Sequence, residues 1–238
     1  MSSKRPDVPG MRAELSAGGD QRQPGAYVFL QSGEVRFLDA AVARIIPADD
    51  LGPGAREAAV VVFLDRQLAS VWGGHGRNYR TGPWQEGTPQ QGFQSPLTPQ
   101  EIYRTGITDA DGYCLRQHRK IFAFLAPLVQ DAALGDMENG SADFETVSSR
   151  LFFALLLRNT IEGFFADPLY GGNRNKIGWR LIGFPGVASS DYPQHLAQHN
   201  VGYQVEPVSI LDIELGQAQV DAQGYALHRK RRSEMPSG

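Results

Sequence analysis

Residues 162–174 read Glu-Gly-Phe-Phe-Ala-Asp-Pro-Leu-Tyr-Gly-Gly-Asn-Arg, and residues 178–186 read Gly-Trp-Arg-Leu-Ile-Gly-Phe-Pro-Gly. Together they hold six glycines, two prolines and five aromatic rings. No ordinary helix or strand has that make-up. Glycine and proline set turns through backbone sterics, while the rings carry large apolar area. A segment with both properties must be ordered and must press against something, either its own core or another molecule.

The rest of the chain bounds the answer. Its 238 residues favour one large domain, and the apolar fraction of 41% is enough for a core. A net charge of −3 argues against nucleic acid as a partner. A single cysteine, Cys114, excludes an internal disulfide and a thiolate metal cluster; a disulfide to another chain stays open, and a small buried filler is the simpler reading. The longest apolar run, residues 151–157, is far too short to span a membrane.

Residues 1–25 are rich in Ser, Gly, Pro and Gln and are expected to form a disordered arm. The spacing of Val35, Leu38, Val42 and Ile45 predicts a helix over about 33–46, capped by Ser32 and ended by Pro47. A second helix is expected over about 53–71. The stretch 72–96 is glycine-rich loop with Trp72, Tyr79, Trp84 and Phe93 set into it. A loop of that length inside a compact domain is generally functional. Thr98-Pro99-Gln100-Glu101 is a capping box with proline at the first helical position, so a helix follows through Cys114. Further helices are expected from Pro127 to Gly140 and over about 144–163, the latter apolar on more than one face and therefore central. Residues 192–199 suggest a helical turn and 205–213 an extended piece. The expected fold is mainly α: an irregular helical domain over 26–213 with long ordered Gly/aromatic loops, then a polar, basic tail over 214–238.

Candidate chemistry is sparse. His195 and His199 stand at i, i+4 without a third ligand in view, and surface histidines are the simpler reading. Asp49-Asp50 suits a turn better than an acid–base pair. Glu162 and Asp167 suit backbone capture in the glycine loop or pairing with Arg158 or Arg174. Neither Ser148-Ser149 nor Ser189-Ser190 sits in a nucleophile elbow. The absence of Cys-x-x-Cys-His excludes c-type haem attachment, and Gly171-Gly172-Asn173 does not make a dinucleotide fingerprint. The basic run from His228 to Arg232 fits either anionic lipid or solvent.

Residues 37–50 (Phe-Leu-Asp-Ala-Ala-Val-Ala-Arg-Ile-Ile-Pro-Ala-Asp-Asp), Gly82-Pro83-Trp84 with Gln91-Gly92-Phe93-Gln94, and the 162–173 block with Gly183-Phe184-Pro185-Gly186 resemble the gluconate 2-dehydrogenase subunit 3 family. The resemblance covers about residues 26–210. It implies a small, non-catalytic subunit of a periplasmic, membrane-attached sugar or sugar-acid dehydrogenase. The large partner would be a flavoprotein of the glucose-methanol-choline oxidoreductase type holding FAD, and a third subunit would carry multiple c-type haems. This chain would need no cofactor or metal of its own, and would reach the membrane only through its partners. The family commonly carries a twin-arginine signal; Lys4-Arg5 is not one, which leaves the export role without support from these residues. The residues expected at the partner interface are Phe164, Phe165, Asp167, Pro168, Tyr170, Gly171, Gly172 and Asn173, with Trp72, Tyr79, Trp84 and Phe93 as a second patch. Two other roles fit the same composition: an enzyme acting on sugar by itself, and a transient export chaperone.

Overall fold

In the computed structural model of the chain, the described residues are 27–75, 82–85, 88, 95–188, 197 and 204–229. They divide into two compact units, Tyr27–Phe184 and the residues from Pro185 onward. The expected arm over 1–25 and the turn over 192–199 lie outside the described residues, apart from residue 197.

The first unit is helical. α1 spans Ser32–Ile45, α2 Val60–Ala69, α3 Pro99–His118, α4 Pro127–Asn139, α5 Ser149–Phe165 and α6 Ile177–Ile182. Short 3₁₀ turns at Phe122–Phe124, Pro168–Tyr170 and Arg174–Lys176 join them. The mainly α expectation holds.

α5 is the central element: it packs on α1, α2, α3 and α4, and its end meets α6. Phe152, Leu155, Leu156 and Phe164 are buried on it. Phe152 gathers Phe37 of α1, Tyr103 of α3 and Phe144 at centroid separations of 6.0, 6.1 and 6.2 Å. α3 approaches this ring closely at Gly106, where an added Cβ would sit 2.3 Å from Phe152 Cδ2.

Several boundaries follow their signals. Thr98 caps α3 as its motif requires: Glu101 N–H donates to Thr98 Oγ1 at 3.2 Å, and Thr98 N–H donates back to Glu101 Oε2 at 2.7 Å. α4 begins at Pro127 and stops at Gly140 in the left-handed conformation. α1 starts one residue earlier than expected, with Gln31 as its N-cap.

Two helix starts are corrections. The second helix begins at Val60, not near Pro53. Residues 53–59 instead fold against the end of α1: Ala55 N–H donates to Ile46 O at 2.9 Å, and Ala59 turns left-handed (φ 57°). The central helix begins at Ser149, not near 144. Asp109 of α3 takes the N–H groups of Thr146 and Val147 at 2.9 and 3.2 Å, holding that stretch out of the helix. Ser148 then provides the cap.

In the second unit, α7 spans Ile210–Glu214 behind a Ser209 cap, so only the first part of the expected extended piece is extended. Isolated bridges join Gly186 to Val208 and Val220 to Ala226, and no β-sheet forms among the described residues.

Candidate functional site

The glycine–aromatic segment folds back over the C-terminal end of α5. A helix end leaves carbonyls without intrahelical partners. Here side chains from the following residues take them. Trp179 Nε1–H donates to Phe165 O at 2.7 Å, and Asn173 Nδ2–H donates to Ala166 O at 2.9 Å. The other side of the Asn173 amide accepts from Gly178 N–H at 2.8 Å. Asn173 is fully buried and left-handed (φ 47°), a conformation asparagine tolerates better than most residues. Asp167 accepts from Leu169 N–H and starts the 3₁₀ turn, while Glu162 pairs with Arg158 at 2.8 Å. Both carboxylates thus work structurally, as their positions suggest.

The glycines are there because backbones touch. A Cβ on Gly172 would lie 2.2 Å from Gly163 O, and one on Gly178 would lie 2.2 Å from Phe164 O. Two further contacts tie the fold-back to α2 and the turn before it: Arg174 N–H donates to Ala58 O at 3.0 Å, and Arg66 of α2 reaches Leu169 O.

This geometry sorts the sequence candidates. Phe164 is 1% exposed and belongs to the core, edge-to-face with Phe165 at 5.0 Å. Gly172 and Asn173 are interior as well. Phe165, Asp167, Pro168 and Gly171 are half-buried, and Tyr170 is exposed at 49%. From the second patch, Trp72 is half-buried against the core and Trp84 is exposed. Tyr79 and Phe93 lie outside the described residues, as do His195 and His199.

What faces outward is a run the candidate residues did not include. Every residue from Arg180 to Phe184 is exposed, with Leu181, Ile182 and Phe184 at 47%, 61% and 44%. Phe184 is held edge-on against buried Trp179 at 5.2 Å. These residues end a six-residue helix in a segment that reads from the sequence as loop. The signal that could have found it is Trp179-Arg180-Leu181-Ile182, where one large apolar residue can be buried only if the pair beyond the arginine turns outward.

Acid–base chemistry has no obvious seat. Among the described residues no group of three or more His, Cys, Asp or Glu side chains is placed to hold a metal ion. A surface depression of about 410 Å³ lies along residues 139–150, but the Arg150 guanidinium beside it already donates to Asn139 O. Cys114 is fully buried, and burial, with Asp111 nearby, pushes its thiol up to about 12. It is a filler, out of reach of a disulfide to another chain. Burial likewise pushes up Tyr103, whose hydroxyl donates to Asn159 at 2.9 Å. Asp49 caps Leu51 N–H in a tight turn. No described helix is long and apolar enough to cross a membrane.

No curated protein and no solved structure matches the chain. A family model described as gluconate 2-dehydrogenase subunit 3 matches residues 32–186, which takes in all six helices of the first unit and the whole fold-back. With well over half of its length matched, the chain belongs to the gluconate 2-dehydrogenase subunit 3 family.

Proposed function

We propose that this chain is the small, non-catalytic subunit of a heteromeric FAD-dependent dehydrogenase that oxidises a sugar, sugar acid or glycoside. Its partner is a large flavoprotein of the glucose-methanol-choline oxidoreductase type, which it stabilises and helps to mature and export. The assembly works in the periplasm at the membrane, with electrons passing to a c-type cytochrome subunit.

The observation that carries this reading is the exposed run Leu181, Ile182 and Phe184 on a support fixed by buried hydrogen bonds. Large apolar side chains in consecutive exposed positions mark an interaction surface rather than a solvated one. Rigid aromatic and aliphatic anchors dominate binding energy at interfaces. The half-buried Phe165, Asp167, Pro168 and Gly171 stay candidates for the same contact, and Trp72 and Trp84 for a second patch.

Co-expression with the flavoprotein tests it. The pair should co-elute in size exclusion, and Phe184→Ser or Ile182→Ser should weaken assembly by about 2 kcal/mol, the usual hot-spot threshold, with helix content unchanged. Early loss of the small chain from a matured flavoprotein would make it a transient chaperone. Dye reduction by the purified chain alone, with gluconate or glucose, would overturn the non-catalytic role.

A further inference from the structure

The connection between α3 and α4 combines exposed cations with exposed apolar side chains. No acidic residue occurs from position 112 to 130, a stretch that holds Arg116, His118, Arg119 and Lys120, in a chain of net charge −3. Residues 115–120 are all exposed. Arg116 is engaged with Glu145 at 3.4 Å. Arg119 and Lys120 make no ion pair among the described residues. Directly after them, Phe124 and Leu128 stand 64% and 82% exposed.

These side chains sit on a fixed base. Phe122 is fully buried and packs on Phe37 at 4.8 Å. Its N–H donates to Asp111 at 3.0 Å, and its carbonyl accepts from Gln130 Nε2–H at 3.0 Å. The loop therefore cannot turn Phe124 inward without giving up Phe122. The acids that bracket the stretch in sequence are already committed: Asp111 to Phe122, and Asp131 to Arg44 at 2.6 Å. Burial pushes the Asp111 carboxyl above its usual range, against the hydrogen bond from Phe122 N–H and the attraction of Arg36 on α1.

We propose that this end of the molecule seats on an anionic phospholipid surface. Phe124 and Leu128 enter the boundary between headgroups and acyl chains, and Arg119 and Lys120 meet the lipid phosphates. Protruding apolar side chains flanked by lysine and arginine are the pattern of interfacial binding. The cores of protein interfaces, by contrast, are depleted in lysine and other charge. The contact needs no spanning helix and does not depend on the subunit reading above.

The test is sedimentation of the purified full chain with vesicles of phosphatidylcholine, alone or mixed with phosphatidylglycerol. Binding is expected only to the mixed vesicles, and weaker as salt is raised. The double variant Arg119→Asn, Lys120→Gln should bind about 30-fold more weakly, from the usual worth of two cations at such a surface. Asparagine is chosen because Arg119 is left-handed (φ 59°). In Phe124→Trp, the new indole should be quenched by brominated lipid. Absence of binding to the mixed vesicles would overturn the proposal, as would equal binding to neutral ones. So would unchanged binding of the double variant, which would assign the lipid contact to the basic run at 228–232 instead.

Discussion

Asp65 fixes the segment that leads into α1. It is 3% exposed on α2, and its carboxylate accepts from the consecutive N–H groups of Val28, Phe29 and Leu30 at 2.8, 2.9 and 2.8 Å. Arg104 covers the same segment from the other side, 4.4 Å over the Phe29 ring. Asp65→Ala should leave three donors short of a partner and destabilise the domain by about 3 kcal/mol or more. Urea denaturation measures the loss, and faster amide exchange at 28–30 locates it. Asp109 and Asp111 are used in the same way on α3, each holding loop backbone. None of this is visible in the sequence, where Asp65 reads as an ordinary solvent-facing charge on a helix. The partners lie 35–37 positions away, and no local pattern links them. Cys114, in contrast, was legible from composition alone. Its buried thiol, pushed up to about 12, should not react with a thiol reagent at neutral pH until denaturant opens the core.

Among the elements, the end of α5 is held in part by a single buried amide, Asn173. Asn173→Ala removes both hydrogen bonds of a buried amide and puts alanine in a left-handed position. A loss of about 2–4 kcal/mol is expected in chemical denaturation, with the Trp179 fluorescence shifting toward that of exposed indole. Gly106→Ala would force the Phe152 ring aside and cost about 1–3 kcal/mol, the usual price of overpacking. α1 and α4 are joined by a two-pronged ion pair, Arg44 to Asp131 at 2.6 and 2.7 Å. That hydrogen bond lowers the Asp131 pKa. A carboxylate with a depressed folded pKa adds stability above its unfolded value, near 4, and loses it as pH falls through the folded one. Because Asp131 is 41% exposed, solvent screening keeps the effect below about 1 kcal/mol. The stability gap between wild type and Asp131→Asn should be constant at neutral pH and close in acid; a gap that widens in acid would contradict the pairing. Helix ends set by local chemistry, such as Thr98 with Glu101 or Pro127 with Gly140, could be read from the sequence. The starts of α2 and α5 could not, because they are set by hydrogen bonds to α1 and α3 that compete with the first helical turn.

For the molecule as a whole, the distinction that matters is which aromatic residues hold it together and which it offers. Phe164→Ala should cost about 3–5 kcal/mol of folding stability, as for other buried phenylalanines, and any assembly defect would follow from unfolding. Ile182→Ser, at a position 61% exposed, should spare the melting temperature and affect assembly alone. Thermal denaturation beside co-elution with the flavoprotein separates the two, and equal melting losses in both variants would remove the outward face from the proposal. The sequence by itself determined the helical class, the central place of the 149–165 helix, three helix boundaries and the family, because those rest on periodicity, capping chemistry and motif order along the chain. Only the tertiary structure decided that Phe164 and Asn173 face inward while Leu181, Ile182 and Phe184 face outward. That choice depends on where α2 crosses Gly163 and where the Trp179 indole finds a free carbonyl, and both are contacts between segments that adjacency in sequence does not encode.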